Sequence, residues 1–489
     1  MFDRSSWIAA GLALAIPTVL GAQSPIASLP TLPPDAILDT LYVADFTNDA
    51  IYALRDLDAD GDANDPGEIQ VFFDTTSPDP NLHLATPRYV AVGLDGAVYV
   101  GDSNKDFILR LEDIDLDGAA NSAGEATVYF DAASSSIGLA SISNIVFDQE
   151  GYLYLSDTGT SSTDRAVFRI RDDNGDGYCS EADGEVLVVF SFNTTTGLPI
   201  ERPSGLAIDN DGSLIVSDYQ SDFVYRFVDT LGLEDGDAND PGEQLLVFES
   251  IPGSVELNFA ENIAFGPGDF GFSRPLYVNA GPTEDVVWRF FDSDGDGLWS
   301  NPTETTAFWD VSQADGIVPA NARTLAVTPE GVVYALEAGS GAVEDQIVVL
   351  EDMNSDGDAN DLGEARIFAD NTNMSGVLFA QPQGMAFALD FGPGPEPEFV
   401  RSDCNVDGGT DIGDAVFTLN FLFSSSVTLL CEDACDSNDD GAIDISDAVF
   451  SLSFLFVAGS SSPPSPYPNC GLDVTMDLLS PCPALLTCP

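Results

Sequence analysis

The chain has 489 residues and a formal charge of −67, from 82 acidic residues against 15 basic ones, of which Lys105 is the only lysine. That length leaves room for two or three domains with a sizeable core, and that charge excludes a footprint for nucleic-acid phosphates and disfavours an anionic membrane surface. His83 is the only histidine, which removes most zinc and histidine-base chemistry.

Residues 1–22 read as a secretory signal, with Arg4 in a short basic region, an apolar run from Trp7 to Leu20, and the small residues Gly21 and Ala22 at the cleavage site. No later segment is long and apolar enough to span a bilayer. The expectation is an exported protein without membrane insertion, in a compartment where calcium and disulfides are both available.

From 38 to 391 the chain repeats about every sixty residues. Each unit begins with an apolar run such as Arg88 to Val92 or Arg323 to Val327, followed by a tight turn such as Asp95-Gly96. A second run follows, such as Val98 to Asp102 or Leu214 to Asp218, then a third such as Ile108 to Leu111, an acidic loop, and a short fourth run such as Val128 to Phe130. The runs are short, rich in Val, Ile, Tyr and Phe, and bounded by Gly, Asp and Pro, so they are predicted strands. Four antiparallel strands per unit, repeated radially, specify an all-β fold, a β-propeller. The first unit opens on a second-strand motif at Leu41 to Asp45 and the last closes on a first-strand motif at Gly384 to Ala388, so six blades are predicted, closed by a shared sheet.

The acidic loop recurs with one spacing. Asp56, Asp58, Asp60 and Glu68 return as Asp113, Asp115, Asp117 and Glu125, as Asp292, Asp294, Asp296 and Glu304, and as Asp352, Asn354, Asp356 and Glu364. Damaged copies lie at 172–185 and at 231–243, where Leu231 and Leu233 replace the first two acidic positions. Neighbouring carboxylates repel by roughly 4 kcal/mol per close pair at an effective dielectric of about 20. Oxygen-only ligands followed by a turn-forming Gly suit calcium, as in EF-hand loops, although the closing Glu falls at position thirteen rather than twelve. The alternative is an acidic turn whose Asp, Asn and Gly serve geometry alone.

The sequence Gly-x-Leu-Tyr-Val-x-Asp with a following Ile or Val-Tyr-Arg resembles NHL-repeat propellers, and more loosely the six-bladed lactonases and sorbosone-dehydrogenase-like proteins, over about 350 residues. The lactonase resemblance implies a channel metal held by Asn and Asp, for which Asn144 and Asn262 are candidates; its Pro-Asp-Gly signature survives only as Pro203-Ser-Gly205 and Pro382-Gln-Gly384.

Propeller topology puts the acidic loops on the face of the tight turns and the long blade connections, for example 74–87 and 310–322, on the opposite face, the candidate ligand surface. Asp45, Asp102, Asp157, Asp218 and Glu337 end second strands and are expected either to ring the central channel as a polar or cation site, or to cap the amides of the turns that follow. Trp299 falls within an acidic loop and is available to stack on a sugar or a partner, whereas Cys179 and His83 are expected to be an inert thiol and a solvated side chain.

Residues 392–400 form a Pro/Gly linker, and 401–489 contain six of the seven cysteines, Cys404, Cys431, Cys435, Cys470, Cys482 and Cys488, read as a disulfide framework of open connectivity. Asp403, Asn405, Asp407, Asp411 and Asp414, then Asp436, Asn438, Asp440, Asp444 and Asp447, place ligand oxygens at positions one, three, five, nine and twelve of two loops, as calcium requires, each leading into an apolar helix. This duplication resembles a dockerin, which implies a cohesin-like or cell-surface protein partner. The contact positions that are often Ser-Thr in dockerins are Ile412-Gly413 and Ile445-Ser446 here. The preferred reading is a secreted binding or scaffold module; the alternative is an enzyme acting on carbohydrate or a sugar lactone within a polysaccharide-degrading assembly.

Overall fold

Each apolar run expected from the sequence is a strand of five or six residues, and the strands assemble into six four-stranded antiparallel sheets. The computed structural model describes residues 40–388 and 399–468, apart from 135–138, 140, 160–164, 192–199, 210–211, 229–237, 239–242, 251–254, 256, 258, 268–273, 281–284, 296, 300–302, 340–344, 406–408, 425–428, 430, 440–442 and 458. The expected signal at 1–22, linker residues 392–398, Leu231, Leu233, Asp296, Asp407, Asp440, Cys470, Cys482 and Cys488 lie outside the described residues.

From the innermost strand outward, blade one comprises Pro382–Phe387, Leu41–Asp45, Ala50–Leu54 and Ile69–Phe73, and blade two Pro87–Val92, Val98–Asp102, Phe107–Leu111 and Ala126–Asp131. Blade three comprises Ile142–Phe147, Leu153–Asp157, Ala166–Ile170 and Val186–Ser191, and blade four Pro203–Ile208, Leu214–Asp218, Phe223–Phe227 and Gln244–Glu249. Blade five comprises Ala260–Phe265, Leu276–Ala280, Val286–Phe290 and Thr305–Trp309, and blade six Ala322–Val327, Val333–Glu337, Gln346–Leu350 and Ala365–Asp370. The six innermost strands contact one another in ring order and line the channel. Blade one draws its strands from both ends of the repeat array, Leu41 pairing Phe387 and Val43 pairing Met385. The six-bladed propeller with a shared closing sheet is therefore the fold.

Packing explains the strand compositions. Second strands such as Leu41–Asp45 and Val98–Asp102 are buried at every residue because both faces meet neighbouring strands or blades, which selects continuous apolar runs. Outer strands such as Ile69–Phe73 are buried at their ends and open to solvent at Gln70 and Val71. Apolar clusters lie between adjacent blades: Tyr42, Ile51 and Phe73 of blade one pack with Val90, Val100 and Leu109 of blade two. Each fully buried side chain of this kind contributes about 1.5–3 kcal/mol. Aromatic edge contacts cross the same seams, Tyr99 to Phe147 at 4.8 Å and Tyr334 to Phe387 at 4.9 Å.

The closing seam depends on one glycine. A Cβ on Gly384 would sit 2.4 Å from the Arg88 carbonyl oxygen and 2.6 Å from Tyr89 Cα, both backbone atoms of the next blade's innermost strand. Gly384→Ala should therefore destabilise the propeller by about 3 kcal/mol, the upper part of the usual overpacking range, read as a lowered midpoint in urea unfolding. An unchanged midpoint would mean that the seam yields freely.

Beyond the linker, helix α1 (Ile412–Ser424), the single turn α2 (Glu432–Cys435) and helix α3 (Ile445–Phe456) form a small module in which α1 and α3 pack together. The α3 N-terminus is fixed by a capping box in which the Asp444 and Asp447 side chains accept each other's backbone N–H. Cys404 and Cys435 form a disulfide that ties the start of the first acidic loop to the residue before the second. Arg401 is fully buried; its guanidinium donates to the Ser465, Asp433 and Asp436 carbonyls and pairs with Asp439 at 3.0 Å. Among the described residues no helix is long and apolar enough to cross a membrane.

Candidate functional site

In the propeller loops the first and last acidic residues hold the backbone in shape. Asp56 accepts from the amides of Ala59, Asp60 and Gly61, and buried Glu68 from those of Leu57 and Asp65. Asp113 and Glu125, and Asp352 and Glu364, repeat these contacts. The copy at 172–185 does so too: Asp172 accepts from Gly175, Asp176 and Gly177, and Glu185 from Asp173, Asn174 and Ser180. Its extra residue before the glutamate is absorbed without loss of the pattern, so the damage expected there is confined to sequence spacing.

These shapes bring acidic oxygens together. One carboxylate oxygen from each of Asp56, Asp58 and Asp60 lies within 4.8 Å of the others, and the same holds for Asp113, Asp115 and Asp117, and for Asp292, Asp294 and Glu304. In the sixth loop the amide of Asn354 donates to Asp356 and Asp361. Convergent, mostly exposed oxygens of this kind are a donor set suited to a hard divalent cation.

The same loops lace the blades. The eighth residue of every copy donates its backbone N–H to the outer strand of the preceding blade: Ala63 to Phe368 at 2.7 Å, Ala120 to Phe72 at 2.7 Å, Cys179 to Tyr129 at 2.7 Å, Ala238 to Val189 at 2.8 Å, Trp299 to Val247 at 2.9 Å and Ala359 to Phe308 at 2.7 Å. The loops thus leave from the tight-turn face but lean along the outer wall. Position eight is a buried socket, which corrects the expectation for Trp299: it is fully buried, 5.8 Å from Phe290, and cannot stack on a sugar. Cys179 occupies the equivalent socket, and burial pushes its thiol up to about 12. His83 is half-buried, its ring Nε2 2.8 Å from the Ser77 carbonyl oxygen.

The carboxylates that end the second strands do not open into the channel. Asp102 accepts from Asn104 and Lys105 in the following turn and from Ala85 and Thr86 just before its own blade's innermost strand. Asp218 does the same with Gln220, Ser221, Glu201 and Arg202, and Asp45 with Thr47, Asn48 and Ala380. Asp157 accepts from Ser141 and Gly159, and Glu337 from Ala320. All five are fully buried, and burial raises Asp45 and Glu337 above their ordinary values against the lowering effect of these amides. They are clamps on the blade connections. Asn262 is also structural, its Oδ1 accepting from Leu325 of blade six and its N–H donating to Asn279, while the Asn144 side-chain amide nitrogen is buried without a partner.

The second residues of the six channel-lining strands form a polar ring, Arg88, Ser143, Ser204, Glu261, Arg323 and Gln383, with the two serines buried and the other four part-exposed. Arg323 Nη1 contacts both Glu261 carboxylate oxygens across a blade seam, at 2.8 and 2.9 Å. Arg202 lies over the Tyr219 ring at 4.6 Å, and Tyr219 is 4.9 Å from Phe259. Sequence reading passed over this ring, although a polar residue at one repeat position in all six units was its signal.

In the C-terminal module both loops are organised by their last acid. Asp414 accepts from the amides of Asn405 and Asp411, and Asp447 from those of Asn438 and Asp444. Asp411 and Asp444 each accept from the amide two residues on. Burial, with the Asp436 carboxylate nearby, pushes Asp447 up to about 7. Asp403 and Asp436 are buried beside the disulfide. The two helices expose the same positions, Ile412, Val416 and Phe423 on α1 and Ile445, Val449 and Phe456 on α3.

The chain matches no protein-family model and no curated protein. Among solved structures it is similar to a chain of a nidogen/laminin complex, with 14% identity over 72% of this chain and 98% of that one and a TM-score of 0.44. It is similar to a gluconolactonase from Xanthomonas campestris, with 15% identity over 60% and 78% of the two chains and a TM-score of 0.39. A virginiamycin B lyase from Staphylococcus aureus shows 12% identity over 61% and 74%, with a TM-score of 0.37.

Proposed function

We propose that this protein is an exported, calcium-stabilised binding module whose propeller presents its connection face to a ligand while the C-terminal dockerin-like pair of calcium loops attaches it to a protein partner, cohesin-like or on the cell surface. The observation that carries this reading is the state of the channel acids. The five carboxylates that end second strands are consumed by backbone amides, and Glu261 is paired with Arg323. An enzyme acting on carbohydrate or a sugar lactone would have to work at the same mouth with Glu261 as its acid or base, and both oxygens of that carboxylate are already held by Arg323.

The paired apolar face on α1 and α3 supports attachment, since the same positions are exposed in both halves at 49–72% and an exposed apolar patch of this kind marks an interaction surface. Full-length protein immobilised in calcium should capture a secreted protein partner that is released by chelator. The double variant Val416→Asp, Val449→Asp should abolish capture without lowering the unfolding temperature. Capture that survives both chelator and the double variant would overturn the attachment role.

A further inference from the structure

The ring at the channel mouth has an unusual charge for this chain. Of 14 arginines, taken as 15 basic residues less one lysine, Arg88 and Arg323 sit in the ring and Arg202 lies immediately before the innermost strand of blade four. Arg88 and Arg202 form no ion pair among the described residues; each lies against an aromatic ring, Phe46 at 5.4 Å and Tyr219 at 4.6 Å. The Nε atoms of Arg88 and Arg323 are buried without a hydrogen-bond partner.

Tyr89, the residue after Arg88, supplies an independent observation. Its residue is only 7% exposed, its hydroxyl makes no hydrogen bond among the described residues, and the hydroxyl oxygen keeps access to solvent. Burial raises its phenol, followed by Glu261, with Arg88, Arg323 and Tyr219 also acting on it. Those groups belong to blades two, four, five and six, and the channel is where they meet. A hydroxyl with no partner in the protein, beside two guanidinium Nε atoms buried without one, leaves donors for a ligand oxygen.

We propose that this ring binds the carboxylate of an acidic sugar, with Arg88, Arg323 and the Tyr89 hydroxyl on the carboxylate and the Tyr219–Phe259 pair against the sugar face. Guanidiniums match a carboxylate in geometry and charge. Phe259 is 37% exposed beside half-buried Tyr219, an apolar platform next to the charge, and the side chain of Gln383 is half-exposed in the same ring. The proposal rests on the reading of the connection face as the ligand surface; partner capture by the tail tests attachment separately, so the two fail independently.

The test is titration calorimetry of the full chain in calcium, with D-glucuronate, D-glucose and acetate as probes, at low and at physiological salt. Glucuronate should bind, weaken as salt screens the arginines, and exceed both glucose and acetate by at least about tenfold, the loss expected when a charge-assisted contact or the sugar platform is missing. Arg88→Gln should weaken glucuronate about tenfold, and Glu261→Gln, which frees Arg323, should strengthen it about threefold. A purely structural ring predicts no gain in the second variant. Absence of glucuronate binding, equal binding of glucose, or unaltered affinity in both variants would overturn the proposal.

Discussion

Chelating calcium should lower the unfolding temperature of the propeller by on the order of 20 °C. An ion held at about 100 times its dissociation constant stabilises a folded site by about 2.7 kcal/mol, and four well-formed loops together give about 11 kcal/mol. Converted at about 2 °C per kcal/mol for a large domain, this reaches the stated shift. The loops join their own blade to the preceding one through the position-eight amide, so loosening one loop frees a seam rather than a surface turn. Differential scanning calorimetry with and without excess chelator gives the measurement, and an unchanged transition would sink the calcium reading. Asp58→Asn separates the ion from the turn. Its Oδ1 accepts from the Asp60 amide at 3.2 Å, a bond that asparagine keeps. The variant should be less stable than the native chain in calcium and no less stable in chelator, where repulsion with Asp56 and Asp60 is relieved. A loop that is only a turn would show the same change in both conditions.

The repeat was legible because each blade buries both faces of its second strand, which forces runs such as Leu41 to Ala44 and Leu214 to Val216 into one composition. Blade count and closure followed from where the pattern starts and stops. Faces were legible as well, since alternation of antiparallel strands assigns every connection to one side. Less visible were interactions whose partner lies on another blade. Trp299 looked like an exposed loop residue because it is flanked by Ser and Leu within an acidic stretch; its burial comes from a socket that the preceding blade completes. For Asp102 and its equivalents the sequence left a channel site and a cap on the following turn both open; the cap is what forms, and the further amides of Ala85 and Thr86, which approach from the incoming connection, were not legible. Arg88, Glu261 and Arg323 differ in charge at equivalent positions, so a search for similarity between repeats discards them. A binding site breaks the symmetry of a repeat protein at the positions that line it, and those departures are the informative ones.

Arg401→Met should unfold the C-terminal module while leaving the propeller intact. The arginine precedes the first acidic loop by two residues and looks unremarkable in sequence, but it is fully buried and joins four segments: its backbone N–H donates to Pro466, its guanidinium to Ser465, Asp433 and Asp436, and its charge meets Asp439. Methionine fills much of the same volume but strands the carbonyls and leaves Asp439 without its cation. Removing one partner of a buried pair costs about 3–5 kcal/mol, which is about the whole stability that a module of this size draws from its core. Calorimetry should show the smaller transition lost and the propeller transition unmoved, and limited proteolysis should cut within the module first. Since Asp436 opens the second loop and Asp439 lies within it, the variant should also lose partner capture at calcium concentrations where the native chain retains it. Arg401→Lys keeps the charge but not the fork, and should fall between the two. If Arg401→Met leaves both transitions and capture in place, the second loop is held by the Cys404–Cys435 disulfide and the capping box alone, and the buried guanidinium is dispensable.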